Sequence, residues 1–410
     1  MNQKPSATTP YDLFSPSFKA NPFPTFAQMR QDDPIYAHRS PGGGTIWYMT
    51  RFAEVTAVLK DNDHFVKDIR HTLPPEAKPP RKSAMHRLIN ENMLFADPPD
   101  HTRLRALVNQ AFTPRRVEQL APRIQHITDE LLDAIAAAGQ ADLIADFALP
   151  MPVRIIAELL GIPAEDQAQV ADWSQAIISP GSRDLNYSAR KRKVRAFVAY
   201  LQEMFALRQK NPQDDLISAL VQAEEAGERL NEAELSSMVA LLLVTGHETT
   251  VNLLGNGALA LLAHPEQLGI LRERPELWET AVEELLRFDG PVETSTTRWV
   301  REDFVFEGHP MRRGDVVRVV LASANRDACQ FAQPDTLDVT RRDNRHLAFG
   351  MGIHYCLGAP LARLEGQIGL QTLFERFPNL QLAVPAAQLE WRSGVLFRGL
   401  KALLVKIDRL

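Results

Sequence analysis

The chain has little cysteine and no excess of charge, and both shortages narrow what it can be. It has 410 residues but only two cysteines, Cys329 and Cys356. A disulfide framework and a four-cysteine zinc site are therefore excluded. The net charge of −5 gives no basic signal for nucleic acid, so we expect no such partner. Two free thiols fit a reducing compartment, and we expect the protein to be cytoplasmic.

Long hydrophobic runs and targeting signals are also missing. The first 30 residues are rich in Pro, Ser, Thr and Asn and contain no apolar core of a secretory signal. No run of about 18 apolar residues occurs, and the longest apolar stretch, 238–262, carries His247 and Glu248 at its middle. We therefore expect no membrane segment. With 45% hydrophobic residues, the chain has ample material for a large core.

The pattern of apolar residues predicts a mainly α protein with small β-sheets (α+β). Apolar residues recur at helical spacing over 115–138 and 194–207, and Gly139 is expected to end the first of these helices. Short runs rich in β-branched and aromatic residues predict strands over 45–49, 304–306, 316–321 and 402–407. We expect a flexible N-terminal segment over 1–20 and one domain over 21–410.

One segment near the C-terminus, Phe-Gly-Met-Gly-Ile-His-Tyr-Cys-Leu-Gly over 349–358, has the composition of a thiolate metal site. Cys356 lies just before a predicted helix that begins near Pro360. The positive end of that helix dipole lowers the pKa of a thiol, and a thiolate binds metal. Gly352 and Gly358 allow close approach of a flat ligand or a positive φ. A lone cysteine in such a turn would more often be a buried structural residue.

The full spacing Phe-x-x-Gly-x-His-x-Cys-x-Gly resembles the haem-binding loop of the cytochrome P450 family. The resemblance implies the cytochrome P450 fold, a triangular-prism helical domain around a buried haem b (iron protoporphyrin IX). It implies that Cys356 is the axial thiolate ligand of the iron. It also assigns Phe349, His354 and Gly358 to cofactor binding.

A polar group interrupts the apolar stretch at Thr245-Gly246-His247-Glu248-Thr249-Thr250. Such groups cost stability in an apolar helix unless they are satisfied, and we expect the Thr249 hydroxyl to bond the Thr245 carbonyl. Taken alone, this is a solvated notch or an acid–alcohol pair that delivers protons. It resembles the family's oxygen-binding groove, which implies that Glu248 relays protons and Thr249 hydrogen-bonds the oxygen. Thr245 stands where Ala or Gly is usual, so we expect Thr245→Ala to keep haem binding and change peroxide leakage.

Glu284 and Arg287 lie three residues apart, so they share a helix face and can pair. On their own they would form a surface ion pair. They resemble the family's Glu-x-x-Arg signature, which implies a buried, structural pair. Many relatives carry Arg-Phe where this chain has Thr336-Leu337, so Arg341 is our candidate for the third member of the network.

Two further segments contain side chains that suit carboxylate binding. Asp100 is a predicted helix N-cap, and His101 and Arg105 then share a face at i, i+4. Alone, this would be an exposed basic face. The segment resembles the family's helix that holds the haem propionates, which Arg and His bind through charge-assisted hydrogen bonds. Arg298 lies in a second segment, 297–303, which resembles the family's Arg-x-Ala-x-Glu-Asp segment. The resemblance implies that Arg298 binds a propionate too.

By this resemblance the protein is a haem-thiolate monooxygenase that inserts one atom of O₂ into an organic substrate. Electrons would come from NAD(P)H through a ferredoxin or flavodoxin and its reductase, because no flavin or iron–sulfur segment is evident. Candidate contacts for such an acidic partner are Arg103, Arg115, Arg116 and Arg363. Two alternatives are a peroxide-driven peroxygenase and a non-catalytic haem-thiolate sensor.

The substrate pocket is inferred by analogy with the family. It draws on the stretches 65–94 and 177–187 and on individual residues, which are Leu242, Leu243, His247, Val292, Leu396 and Phe397. Their mostly apolar character suits a small molecule with an apolar body and a few oxygen functions, such as a polyketide, terpenoid or steroid.

Overall fold

The computed structural model describes residues 10–407, apart from residues 41, 75, 78–86, 88–89, 179–186 and 225–226. Numbered in chain order, the described α-helices are α1 Pro16–Ala20, α2 Phe23–Asp32, α3 Phe52–Lys60, α4 Asp100–Ala111, α5 Pro114–Glu118, α6 Ala121–Ala138, α7 Pro150–Leu160, α8 Ala164–Ile178, α9 Tyr187–Lys210, α10 Leu216–Gln222, α11 Glu232–Ala263, α12 Pro265–Glu273, α13 Trp278–Asp289, α14 Leu321–Ala324 and α15 Ala359–Arg376. The described strands are β1 Ile35–Arg39, β2 Thr45–Met49, β3 Phe65–Val66, β4 Gln140–Asp142, β5 Arg298–Val300, β6 Phe304–Phe306, β7 His309–Met311, β8 Val316–Val319, β9 Gln381–Leu382 and β10 Leu404–Lys406.

Helix α11 is the axis of the fold. It begins with a capping box, in which the Asn231 side chain accepts the N–H of Glu234 and the Glu234 carboxylate accepts the N–H of Asn231. It packs against α7, α13 and α15. Its length and apolar composition would suffice to cross a membrane, but 72% of its apolar window is buried inside the fold. This helix is therefore the core of the protein, which explains its hydrophobicity on all sides.

The strands form small sheets at the edge of this helical body. One sheet has the order β1-β2-β8-β5-β3, in which β2 and β8 are parallel and the other neighbours are antiparallel. A second has the order β4-β10-β9, and β6 pairs with β7. The larger sheet pairs β5, which contains Arg298, with β3, which Lys67 follows. Arg298 and Lys67 both belong to the site described below.

The predicted mainly α architecture with small sheets is confirmed. The strands over 45–49 and 304–306 have the predicted bounds. The predicted helix over 115–138 is two helices, because α5 ends at Glu118 and α6 begins at Ala121. Gly139 ends α6 with a φ of 77°, the left-handed conformation that glycine adopts without steric cost.

Residues 10–20 differ from the flexible segment we expected. Tyr11, Leu13 and Phe18 are buried among β1, β2 and α2. The Lys19 ammonium lies 2.6 Å from the Glu293 carboxylate, and both side chains are buried. Apolar burial and this ion pair hold the segment on the fold. Residues 1–9 lie outside the described part of the chain, and the boundary at residue 20 stays a prediction for them.

Candidate active site

A cavity lies between the middle of α11 and the start of α15. It contains about 1250 Å³ of empty space, including the part that opens to solvent. We call its α15 side the proximal wall, formed by Phe349, Cys356, Leu357, Gly358, Leu361 and Ala362. We call its α11 side the distal wall, formed by Leu241, Leu242, Thr245, Gly246, Thr249 and Thr250. The cysteine loop and the acid–alcohol segment, about 100 residues apart in sequence, therefore contribute to the two walls of one cavity.

The cysteine loop presents its sulfur to the inside of this cavity. The accessible surface of the Cys356 side chain faces this cavity, which is largely enclosed by the surrounding protein. The Cys356 N–H donates to the Phe349 carbonyl at 3.0 Å, which closes the loop. Gly352 has a φ of 77°, and a Cβ there would lie 2.6 Å from the Leu59 carbonyl oxygen. Only glycine fits at that position, whereas Gly358 has an ordinary φ of −80°.

The sequence led us to expect a lowered pKa for this thiol, and the structure corrects that expectation. Burial raises the pKa of Cys356 above its usual value. The N–H groups of Gly358 and Ala359 and the guanidinium groups of Arg105 and Arg363 act in the opposite direction, but they do not outweigh desolvation. A bound metal ion would add favourable charge and stabilise the thiolate further.

Phe349 connects the cavity to the surface beneath it. Its ring lines the proximal wall, and the Arg363 guanidinium lies 4.5 Å from the ring centroid. Arg363 is held there by two bonds to Glu283, at 2.6 and 2.9 Å. Phe349, assigned to cofactor binding by the resemblance, is thus held at the cavity by its contact with Arg363, which Glu283 holds in turn.

Basic and hydrogen-bonding side chains collect at one edge of the cavity. They come from four separate parts of the chain, and we call them the cation cluster: Lys67, both His101 and Arg105 of α4, Arg298 and His354. The imidazole rings of His101 and His354 lie 4.4 Å apart, and both line the cavity. Arg105 donates to the Tyr355 carbonyl at 3.0 Å. Asp100, expected to cap α4, is instead its first residue, because Pro99 occupies the N-cap position.

No described carboxylate is hydrogen-bonded to a side chain of the cation cluster. The charge of Asp97 acts on Lys67, His101 and Arg298, but the Asp97 oxygens accept from the backbone N–H groups of Lys67 and Asp68. Arg298 is 2% exposed, and its one hydrogen bond among the described residues joins Nη1 to Ser295 Oγ at 3.2 Å. Burial lowers the pKa of Arg298 to about 10. Burial, followed by the nearby charge of Lys67, lowers the pKa of His354 to about 2. Buried His101 Nε2 has no hydrogen-bond partner. Such a group is destabilising alone and suits a ligand with carboxylates.

The Glu-x-x-Arg pair lies behind the proximal wall and is fully enclosed. Both side chains are 0% exposed, and Arg287 Nε and Nη2 each lie 2.7 Å from a Glu284 oxygen. Arg287 also donates to the carbonyls of Asn325, Pro334 and Thr336. Arg341 Nε contacts both Glu284 oxygens, at 3.1 and 3.2 Å, as the sequence analysis expected. We call these three residues the Glu284 lock, since they join α13 to the segment before the cysteine loop.

On the distal wall the threonines bond to their own helix. The Thr249 hydroxyl donates to the Thr245 carbonyl at 3.0 Å, as predicted, and the Thr245 hydroxyl donates to the Leu241 carbonyl at 2.7 Å. These bonds satisfy both hydroxyls inside an apolar helix while leaving them on the cavity surface. Gly246 lies where the helix meets Ile156, because a Cβ there would come within 3.0 Å of that side chain.

Glu248 does not line this cavity. Its side chain is 9% exposed and forms an ion pair with Arg392, through Nη1 and Oε1. It faces a second cavity on another side of α11, bounded by α7 and α8. The two members of the predicted acid–alcohol pair are therefore neighbours in sequence that face different spaces.

The predicted substrate residues divide in the same way. Leu242 and Val292 line the cavity between the two walls. Leu243 and His247 were wrong for that cavity, since they line the second one. Residues three or four apart share a helix face, so Leu242, Thr245 and Thr249 face one way and Leu243 and His247 another.

Leu396 and Phe397, the C-terminal members of the predicted pocket, bond to the neighbouring backbone and do not line the cavity. Phe397 pairs with Val292 as an isolated β-bridge, and the Leu396 carbonyl accepts the Glu293 N–H at 2.9 Å. Neither side chain is among those lining the cavity. The stretch 177–187 lies largely outside the described residues, as do parts of 65–94.

Sequence reasoning missed a buried carboxyl group on the proximal side. Glu365 is 1% exposed and lines the cavity, and neither of its oxygens has a hydrogen-bond partner of ordinary geometry. Burial raises the pKa of Glu365 to about 8, while the neighbouring Thr250 hydroxyl acts to lower it. A glutamate on the helix after the cysteine, nine positions on, carried no signal in the sequence alone, because a surface position fitted it equally well.

These observations fit a haem. The cavity places a thiol on one wall and hydroxyls on the opposite wall, with an apolar space between them. Among the described residues, no carboxylate is hydrogen-bonded to the side chains of the cation cluster at its edge, and a haem carries two carboxylates. Cys356 would bind the iron, and His101, Arg105, Arg298 and His354 would hold the propionates, with Phe349 and Gly358 beside the ring.

Comparison with known proteins agrees with this geometry. The cytochrome P450 family profile matches residues 23–396. The polyketide biosynthesis cytochrome P450 PksS of Bacillus subtilis (strain 168) is 44% identical over 398 residues, covering 96% of this chain and 97% of that relative. The vitamin D(3) 25-hydroxylase of Pseudonocardia autotrophica is 42% identical over 401 residues, covering 98% and 97%. The solved structure of PksS has a TM-score of 0.90, with 42% identity, 97% of this chain and 100% of that chain covered. The chain belongs to the cytochrome P450 family, the haem-dependent monooxygenases.

Proposed function

We propose that this protein is a haem-thiolate monooxygenase that hydroxylates an apolar, polyketide-type molecule with electrons from a separate redox protein. The observation that carries the proposal is the arrangement of Cys356 and Thr249 on opposite walls of one apolar cavity. In the overall reaction, one substrate C–H, O₂, two electrons and two protons give one alcohol and one water. The bound haem would supply the oxygen chemistry itself.

The chain's own residues would orient the reactants and manage protons. Thr249 presents a hydroxyl to the distal side of the cavity, and its bond to the Thr245 carbonyl fixes that hydroxyl in place. Glu248, one residue earlier, would exchange protons with solvent. Thr245 adds a second hydroxyl to the distal wall, where the family usually has Ala or Gly. This is why we expect Thr245→Ala to change the share of electrons lost as peroxide without changing haem binding.

The cavity suits a largely apolar substrate. Apart from the threonines, the groups around its distal side are hydrocarbon, and include Met93, Leu94, Phe112, Ile156, Leu242 and Val292. Relatives named for polyketide biosynthesis and for vitamin D(3) hydroxylation are about equally similar to this chain. We favour the polyketide class because the three hydroxyls of Thr245, Thr249 and Thr250 can accept or donate hydrogen bonds to its oxygen functions.

A peroxygenase that uses a substrate carboxylate is a weaker candidate. Such an enzyme needs a cation beside the substrate on the distal side. Within the described part of the chain, none of the residues of the distal wall is charged. The basic residues that reach the cavity belong to the cation cluster, where propionates would use them.

External electron donors would dock near the cysteine loop. Of the arginines predicted to receive an acidic ferredoxin or flavodoxin, Arg103, Arg116 and Arg363 already pair with Glu234, Asp214 and Glu283. Arg115 is exposed, so we expect it to be more accessible to such a partner. We keep the expectation of a cytoplasmic enzyme, which is where such partners and reduced thiols occur together.

The test is a ligand screen followed by isotope labelling. The purified holoenzyme is titrated with macrolide-type polyketides, steroids and fatty acids, and the spin state of the haem is read by absorption. We expect polyketides to give the largest shift. The best ligand is then turned over with labelled O₂, NAD(P)H and redox partners. One labelled oxygen in the product supports a monooxygenase, whereas label incorporation only from labelled peroxide would support the peroxygenase. A protein that binds haem but forms no product from any ligand would favour the sensor.

A further inference from the structure

Two cavities flank the middle of α11, and consecutive residues of that helix face one each. Thr249 lines the cavity between the proximal and distal walls, while Glu248 and His247 line the second cavity. Successive helix residues differ by about 100° in direction, which is why adjacent side chains can reach separate spaces. The second cavity contains about 1140 Å³ of empty space, including its open part.

The carboxylate of Glu248 is held at the inner end of the second cavity by Arg392. Their ion pair joins a side chain that is 9% exposed to one that is 34% exposed. Arg392 therefore extends from the buried carboxylate towards the protein surface. A partly exposed charge of this kind keeps its own hydration while it holds a buried partner.

The backbone around Arg392 is fixed. Its N–H donates to the Gly399 carbonyl at 2.9 Å, and Trp391 pairs with Leu400 as a β-bridge. Gly399 lies against α11 so closely that a Cβ there would collide with the Asn252 side chain. Residues 390–401, which we call the C-terminal hairpin, are thereby held on α11 one turn from Glu248. The guanidinium of Arg392 therefore reaches the carboxylate from a fixed backbone position.

The remaining ionisable groups of the second cavity do not compete for Glu248. His247 Nδ1 bonds the Leu243 carbonyl at 2.7 Å, so that nitrogen carries the hydrogen. Burial lowers the pKa of His247, which keeps the ring neutral. Asp172 lies on the α8 side and pairs with Lys193 at 2.6 Å. Arg392 is therefore the partner that determines where the Glu248 carboxylate lies.

We propose that the second cavity is the route by which water and protons reach Glu248 from solvent, and that Arg392 is the positioning residue that holds the carboxylate there. The inference rests on the proposed function, because a turnover that consumes protons is what needs such a route. For each proton, water in the second cavity protonates Glu248 and so weakens its ion pair with Arg392. The neutral acid then turns towards the side of Thr249 and releases the proton there. The carboxylate returns to its starting charge, and no bond other than those to hydrogen changes.

The first test fills the cavity without touching the haem side. Val153 of α7 lines the second cavity, so Val153→Phe narrows it. The matched control is Val305→Phe, at a position 66% exposed on β6. In Val153→Phe we expect product formation to slow about ten-fold, peroxide to rise and the effect of D₂O on the rate to grow. The substrate-induced spin shift should stay as in the parent. Equal rates and equal D₂O effects in the two variants would overturn the proposal.

The second test uses the ion pair and does not depend on that substitution folding well. Arg392→Gln should raise the peroxide fraction and the D₂O effect, and Arg392→Lys should restore most of the parent behaviour. Arg392→Gln should add nothing in a Glu248→Gln background, since it acts through that carboxylate. The same coupling should appear without turnover: Arg392→Gln should change the unfolding midpoint of the parent holoenzyme but not that of the Glu248→Gln holoenzyme.

The outcomes separate the inference from the function on which it rests. A parent that forms no product from O₂ and NAD(P)H overturns the proposed function. If the parent turns over but Val153→Phe and Arg392→Gln leave the D₂O effect and the peroxide yield unchanged, only the proposed water and proton route is overturned. Additive effects of Arg392→Gln and Glu248→Gln would overturn the positioning role.

Discussion

The Glu284 lock and the cation cluster are both buried groups of charge near the cysteine loop, yet they are built in opposite ways. In the lock, Glu284 is 0% exposed and receives Arg287, Arg341 and the Asp338 N–H, so its charge is neutralised within the chain. In the cluster, Arg298 is almost as deeply buried but has only Ser295 as a described hydrogen-bond partner. The comparison teaches that a self-sufficient charge network holds a fold, whereas an incomplete one marks where a charged ligand binds.

The largest expected effect comes from breaking the lock. Glu284→Gln would leave Arg287 and Arg341 without their carboxylate in a dry interior, which costs about 3–5 kcal/mol of folding stability. We expect a much lower unfolding midpoint and little retained haem. Chemical unfolding and haem content would measure this, with Glu279→Gln, exposed on the same helix, as the control. A variant as stable as the control would show that the lock is not structural.

A substitution in the cation cluster should leave folding stability unchanged or raise it, unlike one in the lock. Arg298→Gln removes a buried charge that forms no ion pair with a described carboxylate and feels only the more distant charge of Asp97, so the haem-free protein should be as stable as the parent or more so. The holoenzyme should lose haem about 10- to 100-fold faster, since a charge-assisted hydrogen bond contributes about 1.5–3 kcal/mol. Haem transfer to a scavenger apoprotein gives the rate. Arg301→Gln, exposed just after the same strand, is the control. A destabilised haem-free protein with unchanged haem loss would contradict the comparison.

A third variant, whose effect is small within any one pH unit, extends the comparison to a buried acid that has no cation beside it. The folded pKa of Glu365, about 8, lies above the ordinary value of 4.5, so the folded state keeps a proton that the unfolded state has released. Stability from this group is therefore full below about pH 4.5 and falls as the pH rises towards 8. Glu365→Gln should flatten this slope by about 1 kcal/mol per pH unit. Unfolding curves at several pH values would measure it, and identical slopes would show that Glu365 is ionised in the native state.

The parts of the fold and site that sequence could predict are those fixed by local spacing. The cysteine loop, the bond from Thr249 to the Thr245 carbonyl and the pairing of Glu284 with Arg287 depend on residues at characteristic offsets within helices and turns. The pairing of Arg341 with Glu284, 57 positions apart, followed from the resemblance to the family instead. The mainly α class and several strand bounds also followed, because periodicity reports them directly.

What sequence could not predict depends on distant packing. Whether a side chain of α11 faces one cavity or the other depends on how α7 and the C-terminal hairpin pack on it, and so Leu243 and His247 were misplaced. The partner of Glu248, Arg392, is 144 positions away. The pKa of Cys356 was expected to fall, but burial outweighs the helix end, and burial cannot be read from a local pattern.

The most direct test of the account is the absorption spectrum of the reduced, carbon-monoxide-bound holoenzyme, compared with that of Cys356→Ser. Thiolate ligation at Cys356 predicts a strongly red-shifted Soret band in the parent and its loss in the variant. Cys329→Ser, which changes the other thiol, should leave the band in place. A parent with no haem, or a band that persists in Cys356→Ser, would contradict the assignment of the cavity and of every residue role built on it.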